Sequence, residues 1–243
     1  MITRRNLLVT GGAVMLAGCD RWSDSPALLS AEDAHRFLQR SVTGRAALAR
    51  EYRTDQMSPV FRTNGTNRPN TPEYAALAAN RFADWRLPVT GLVQRPLNLS
   101  LAQLQAMPQQ AQITRHDCVE WWSAIGKWQG PRLETVLQLA GLRHGARYIV
   151  FHCADRFGAD SYYESIDLVD AFHPQTLLAW AMNDRYLDVG HGAPLRLRVE
   201  RQLGYKQAKY IMGVDVVASL AGIGGGKGGY WEDSNGYEWY AGI

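Results

Sequence analysis

The stretch over residues 115–130, R-H-D-C-V-E-W-W-S-A-I-G-K-W-Q-G, constrains this chain more than any other. It crowds a cysteine, a histidine, two acids and three tryptophans into a span too short to be a core element alone. The strand-like run Ile113, Thr114, Arg115 leads into it, and the turn residues Gly130 and Pro131 close it. Such a run carries Cys118 to a strand end, where loops on a rigid scaffold tend to hold functional groups. A thiolate there, beside Arg115 and a charged His116, is expected to have a lowered pKa and to be able to bind a metal. Taken alone, Cys118 reads more readily as a small buried hydrophobe; the rest of the chain decides between the two.

With 243 residues the chain can bury a proper core, as one large domain or two small ones. Its composition is that of a globular protein, and a formal charge of +3 gives no basic face for nucleic acid. The N-terminus carries an address. Thr3, Arg4 and Arg5 before Leu7 and Leu8 resemble a twin-arginine export signal, and the apolar run to Gly18 is far too short to span a bilayer. Leu16-Ala17-Gly18-Cys19 resembles a bacterial lipobox, which makes Cys19 the expected lipidation site, and Asp20 resembles the signal that keeps lipoproteins at the inner membrane. The expected division is a signal over 1–18, a tether and N-terminal helix over 19–54, and a globular domain over 55–243. The expected place is the periplasm, on the outer face of the inner membrane through a lipid anchor. Once Arg4 and Arg5 leave with the signal, the mature chain is nearly neutral. Cys118 and Cys153 are then the cysteines left, and in an oxidising compartment a disulfide is the default unless something occupies one of them.

Taken in order, Ser30 caps a helix expected over 30–52 with a break at Gly44. Residues 62–71 form a long loop with an Asn64-Gly65 turn, long enough to have a function. Thr71 and Pro72 start a short helix. Trp85, Leu87 and Val89 alternate as a strand, which Leu92 and Val93 continue or pair with. Ser100 caps a helix over 101–107, and Leu133, Val136, Leu137 and Ala140 mark another, closed by Gly141. Strands are expected over 148–153 and 161–166, with a helical turn after Asp167. The apolar run 176–182 ends at an Asn183-Asp184 turn. Leu195, Leu197 and Val199 alternate with Arg196, Arg198 and Glu200, giving a half-buried strand with a basic face, and 210–220 is strand-like. Helices and strands mix without βαβ alternation, so the fold class is α+β, as a single mixed domain.

Three further groups could carry chemistry. Gly190-His191-Gly192-Ala193-Pro194-Leu195-Arg196 sets a glycine-flanked histidine before a strand, and Arg196 could grip a phosphate with two parallel hydrogen bonds or stand solvated in a turn. In Leu203-Gly204-Tyr205-Lys206-Gln207-Ala208-Lys209, two lysines near a glycine suit a phosphate-cradling loop or an exposed basic turn. The glycine-rich run 222–229 fails the nucleotide-loop pattern, since Gly228 follows Lys227 where Ser or Thr should hold magnesium. It reads as a C-terminal loop that closes over the site with Tyr230 and Trp231. His35, His144, His152 and His173 lack metal-motif spacing and read as structural.

In combination these motifs say more. Arg115 to Ser123, with Trp128-Gln129-Gly130 behind it, resembles the C-V-E-x-W-S…W-x-G motif of the sulfite oxidase family. The nearer likeness is to its bacterial molybdopterin-dependent branch, which includes catalytic subunits of periplasmic methionine sulfoxide reductases. His191 to Arg196 and Gly204 to Lys209 resemble that family's next two motifs, in its order. The resemblance covers nearly the whole mature chain. It implies that 55–243 is a molybdopterin-binding domain, with Cys118 as the catalytic thiolate and single protein ligand of a molybdenum–molybdopterin cofactor (Mo-MPT). It further implies cofactor binding by Asn64, Cys153, His191, Arg196, Gln207, Ala208 and Lys209. A soft thiolate suits a redox metal that passes an oxygen atom to or from a two-electron substrate. The implied substrate is a small or protein-borne S- or N-oxide or a sulfite-like anion. The implied electron partner is a separate membrane or periplasmic cytochrome, because the chain shows no haem domain of its own. Trp121 departs from the family's usual small residue and is expected to narrow the approach to the site. The competing class is a non-catalytic binding lipoprotein using the same pocket. A twin-arginine route, which exports folded proteins, favours the enzyme, because a cofactor must be inserted before export.

Overall fold

Capping chemistry fixes where the helices begin in the structure, a computed structural model that describes residues 44–243. The Thr71 hydroxyl accepts from the Tyr74 N–H and Pro72 takes the first turn of α1 (Pro72–Ala79), where a missing N–H costs nothing. Ser100 and Gln103 exchange hydrogen bonds in a capping box at the start of α2 (Leu101–Ala106). In α3 (Leu133–Ala140), Leu133, Val136, Leu137 and Ala140 form one buried stripe at helical spacing, and Gly141 ends it at φ +69°. Full burial of such aliphatic side chains contributes roughly 1.5–3 kcal/mol each for the larger ones, which outweighs the weak helix preference of an eight-residue segment. Asp167 caps the single turn α4 (Leu168–Ala171).

Two sheets carry the site. The first has the order β2 (Leu97–Ser100), β1 (Arg86–Gly91), β11 (Ile211–Val217), β5 (Tyr148–Phe157), β6 (Asp160–Asp167), with β1 and β11 parallel and the other neighbours antiparallel. The second is antiparallel: β3 (Gln109–Cys118), β4 (Trp122–Pro131), β8 (Ala181–Met182), β9 (Arg185–Tyr186). A short ladder joins β7 (Leu177–Ala179) to β10 (Arg196–Arg198). The main core gathers Leu87, Val89, Phe151, Val214 and the α3 stripe, and a smaller cluster surrounds Trp128. The last helix, α5 (Tyr230–Asn235), packs beside β6. Helices and sheets mix in one domain of the α+β class, as the sequence leads one to expect.

Three local expectations are corrected. Residues 48–52 are not helical. Ala49 instead exchanges backbone hydrogen bonds with the Gln175 side chain (2.7 and 3.0 Å), and Glu51 bridges to Thr114 on the β3 edge. Ala46–Ile243 form one compact unit. The signal, Cys19 and the Ser30 helix start lie outside the described residues. Val93 neither extends β1 nor pairs with it, but bridges to Leu142. The basic face of β10 is not solvated either, since Arg196 and Arg198 are both buried. Arg198 is paired inside with Glu200 (2.5 Å), with its guanidinium 4.2 Å from the Trp128 ring centroid. The Asn183-Asp184 turn is as expected: both residues sit at positive φ, and the Asn183 side chain accepts from the Lys127 N–H.

Candidate active site

Cys118 is the last residue of β3, paired across the hairpin with Trp122, so the strand does deliver it to an end. There it opens on a cleft with about 910 Å³ of free space, open solvent at its mouth included. The Asn64 side-chain amide donates to Cys118 Sγ at 2.8 Å, and the Glu120 N–H at 3.4 Å. The expected lowering of the thiol pKa is not found. Burial pushes Cys118 up, and the Glu120 N–H offsets only part of this. Arg115 points outward to Asp117, and His116 is held neutral, first by burial and then by the Arg198 and Arg196 charges. A metal cation at the sulfur would favour the thiolate over the thiol.

The other walls come from five places. The loop 61–66 brings Phe61 and Asn64; β5 and β6 bring Asp155, Phe157 and Tyr162; residues 190–196 bring His191 and Arg196; residues 204–209 bring Gln207, Ala208 and Lys209; the C-terminal segment brings Trp231 and Tyr237. His191 is fixed at both ring nitrogens, Nδ1 against Asp188 (2.8 Å) and Nε2 on the Phe61 carbonyl (3.2 Å). Gly192, at φ +106°, lets the His191 turn approach Lys209, because a Cβ there would meet the lysine side chain at 2.9 Å. Gly204 does the same for His116, whose ring would stand 2.6 Å from an added Cβ. Lys209 Nζ donates to the carbonyls of Asn64 (2.7 Å), Thr66 (2.6 Å) and Gly190 (3.1 Å), tying the three loops together. Burial brings its pKa down to about 7, and the Arg196 charge adds to this. Arg196 lies over the Trp128 ring at 4.8 Å, and burial, with Arg198 beside it, brings its pKa down to about 9.

The structure therefore brings Cys118, Asn64, His191, Arg196, Gln207, Ala208 and Lys209 to one cleft. It does not bring Cys153. That residue is packed in the main core behind the cleft wall, and burial pushes its thiol far up. Cys118 and Cys153 are both free, so the default disulfide is absent. Lys206 is not part of a phosphate cradle. It is fully buried and pairs with Glu164 (2.6 Å) and Glu232 (2.5 Å), pinning α5, which carries Trp231, to β6. The glycine-rich run packs closely on Asp233, which accepts from the Gly225 and Lys227 N–H groups. Trp121 does not narrow the cleft: at φ +62° its side chain is turned out and 98% exposed, and Trp122 lines the cleft in its place.

Sequence reading missed His116 as a wall residue, Arg198 as its hydrogen-bond partner (3.0 Å to Nδ1), and Asp155. The signal for Asp155 was an acid two residues after Cys153 at the end of an apolar strand. Three wall residues hold buried polar atoms that find no partner in the protein: Arg196 Nε, Gln207 Oε1 and Asp155 Oδ1. Buried polar groups in native proteins are mostly paired, by the protein, by ordered water or by a bound ligand or ion.

The oxidoreductase molybdopterin binding domain matches residues 74–221 of this chain. A protein of Azospira oryzae named as a candidate protein-methionine-sulfoxide reductase subunit, YedZ1, is 37% identical over 97% of this chain and 84% of its own length. Protein-methionine-sulfoxide reductase catalytic subunits are 32% identical in Ralstonia nicotianae, over 69% of this chain, and 29% identical in Campylobacter jejuni, over 54%. The chain spans about half the length of these two relatives. In structure, the sulfane dehydrogenase SoxCD of Paracoccus pantotrophus shares the fold, with a TM-score of 0.51 over 56% of this chain and 39% of that one, at 22% identity. With that domain match over residues 74–221 and that relative covered over most of its length, this chain belongs to the molybdopterin-binding oxidoreductases of the sulfite oxidase family.

Proposed function

We propose that this protein is an exported molybdenum enzyme that reduces methionine sulfoxide with electrons from a separate partner. The observation that carries the reading is a lone thiol, Cys118, at the head of a cleft whose walls hold unpaired buried donors and acceptors. Among the described residues no group of three or more His, Cys, Asp or Glu could hold a metal. A metal at Cys118 would therefore take its other ligands from a non-protein group, and a pterin dithiolene fits the residues present. When bound, that group supplies a metal that exchanges an oxygen atom and two electrons with the substrate. Cys118 would give up its proton on binding, and the Asn64 and Glu120 N–H groups would steady the resulting thiolate. Arg196 Nε is the free donor for the cofactor phosphate. Lys209, its three N–H groups spent on carbonyls, adds charge without a free hydrogen bond.

The substrate reading rests on the relatives' names and on the aromatic lining of the cleft. Phe61, Trp122, Trp231 and Tyr237 are among its lining residues, and thioether sulfur packs well against aromatic rings. In the balanced reaction the sulfoxide takes up two electrons and two protons, its sulfur–oxygen bond breaks, and it leaves as a thioether and one water. The relatives are named as subunits, which supports an electron partner outside this chain, such as a membrane or periplasmic cytochrome. Arg4, Arg5 and Cys19 support export to the periplasm and a lipid anchor. The test is turnover of purified holoprotein with reduced viologen and either oxidised protein or free methionine sulfoxide. Wild type should consume two electrons per sulfoxide, and Cys118→Ser should lose at least a hundredfold while staying folded. Sulfite oxidation with no sulfoxide reduction would overturn the substrate, and full activity of Cys118→Ser would overturn the site.

A further inference from the structure

Of the residues from Cys118 to Trp122, all line the cleft except Trp121. β3 ends at Cys118, β4 begins at Trp122, and these two pair across the hairpin, so Val119, Glu120 and Trp121 make up its loop. A three-residue hairpin loop commonly ends on a left-handed residue, a place that suits glycine. Here that place is held by Trp121, at φ +62°. The conformation costs stability in any residue with a Cβ. The ring recovers almost none of this by burial, since it is 98% exposed. A large apolar side chain on strained backbone, with nothing gained inside the chain, points to a contact outside it.

A second exposed apolar side chain stands at the same rim. Val60 is 72% exposed and directly precedes Phe61, and Phe61 meets Trp122 edge to face with ring centroids 6.2 Å apart. Trp121 and Val60 are therefore each one residue away from this pair of cleft rings, and Trp122 is the residue opposite Cys118. What crosses that rim follows from the chemistry. A methionine side chain is short, so a sulfoxide that reaches a metal at Cys118 from within a protein brings its own backbone over the rim beside the thiol. An electron donor is under no such constraint, because electrons cross intervening protein whereas an oxygen atom passes only in contact. We propose that Trp121, with Val60 on the same rim, docks the polypeptide flanking a protein-borne methionine sulfoxide and so favours oxidised protein over the free amino acid. This rests on the sulfoxide-reductase reading of the site. A tryptophan suits the role, since it offers a large contact area at little cost in side-chain freedom.

The test is steady-state kinetics of the holoprotein with reduced viologen as donor, so that no electron partner takes part. The substrates are methionine-oxidised serum albumin and free methionine sulfoxide. Trp121→Ala should raise KM for the oxidised albumin roughly ten- to thirtyfold with kcat kept, the pattern of lost ground-state binding. Its kinetics on free methionine sulfoxide and its molybdenum content should match wild type, and Trp121→Phe should restore most of the affinity for the albumin. Val60→Ser should act in the same direction and more weakly. Equal losses on the two substrates overturn the proposal, because the ring would then act on the reaction centre or the fold. Unchanged kinetics of Trp121→Ala on both substrates also overturns it, and leaves the ring to the electron partner, to lipid or to solvent. Wild type that reduces neither substrate overturns the sulfoxide-reductase reading and this inference with it, whereas active wild type with an indifferent Trp121→Ala overturns this inference alone.

Discussion

Lys209 shows at the scale of one residue how a binding site loads cost onto the empty fold. Its pKa in the folded chain is about 7, against 10.5 for a free lysine. Between those values the unfolded chain holds a proton that the folded chain lacks. The stability of the cofactor-free protein therefore rises with pH across that window, by roughly 1.4 kcal/mol per pH unit for one proton. Asp155 acts in the opposite sense between 3.8 and about 6, where the folded chain holds the extra proton and stability falls as pH rises. Lys209→Met should flatten the rise above pH 7, as measured by urea unfolding at a series of pH values. An unchanged slope would mean that Lys209 is solvated and does not tie the three loops together. Neither effect was legible in the sequence. Lys206 and Lys209 look alike there, yet one is a fully buried partner of Glu164 and Glu232 and the other a cleft residue. Burial, which spacing does not report, separates them.

At the scale of elements, the β3–β4 hairpin is the part most fully written in the sequence. Ile113, Thr114 and Arg115 announce the strand, and the cysteine falls at its end. The capped helices α1, α2 and α3 were equally legible, because capping and helical periodicity are local. What spacing could not give was direction: β10 alternates like a half-exposed strand, but Trp128 and Glu200 cover both of its arginines. Nor could it reveal the register shift in β5 between His152 and Arg156, the stretch that holds Asp155, since register depends on the partner strands. Trp121 is a further case, where the backbone and not ring size decides the outcome. A non-glycine residue in the left-handed region costs about 1–2 kcal/mol, and glycine gives back about 0.5–1 of that as lost chain entropy. With its ring 98% exposed, Trp121 has almost no burial to lose. Trp121→Gly should stabilise the protein by up to roughly 1 kcal/mol and leave cofactor content unchanged, as read by denaturant midpoint and metal per chain. A destabilised variant would show that the ring makes contacts this account denies it.

At the scale of the molecule, the two sheets, the loop 61–66 and the C-terminal segment converge on one cleft, and nearly all its chemistry is arranged around a single sulfur. The buried Glu164–Lys206–Glu232 cluster holds α5 in place, and α5 brings Trp231 to the cleft. The β3–β4 hairpin brings Cys118, and Arg196, Lys209 and the unpaired polar atoms line the same cleft. The central claim is that Cys118 is the protein's one ligand to a molybdenum whose other sulfurs come from the pterin. X-ray absorption at the molybdenum edge tests it most directly, because it counts sulfur neighbours without reference to any substrate. The account predicts three sulfurs at molybdenum in wild type and two in Cys118→Ser. The same sulfur count in both proteins, or purified wild type with no molybdenum, would contradict it.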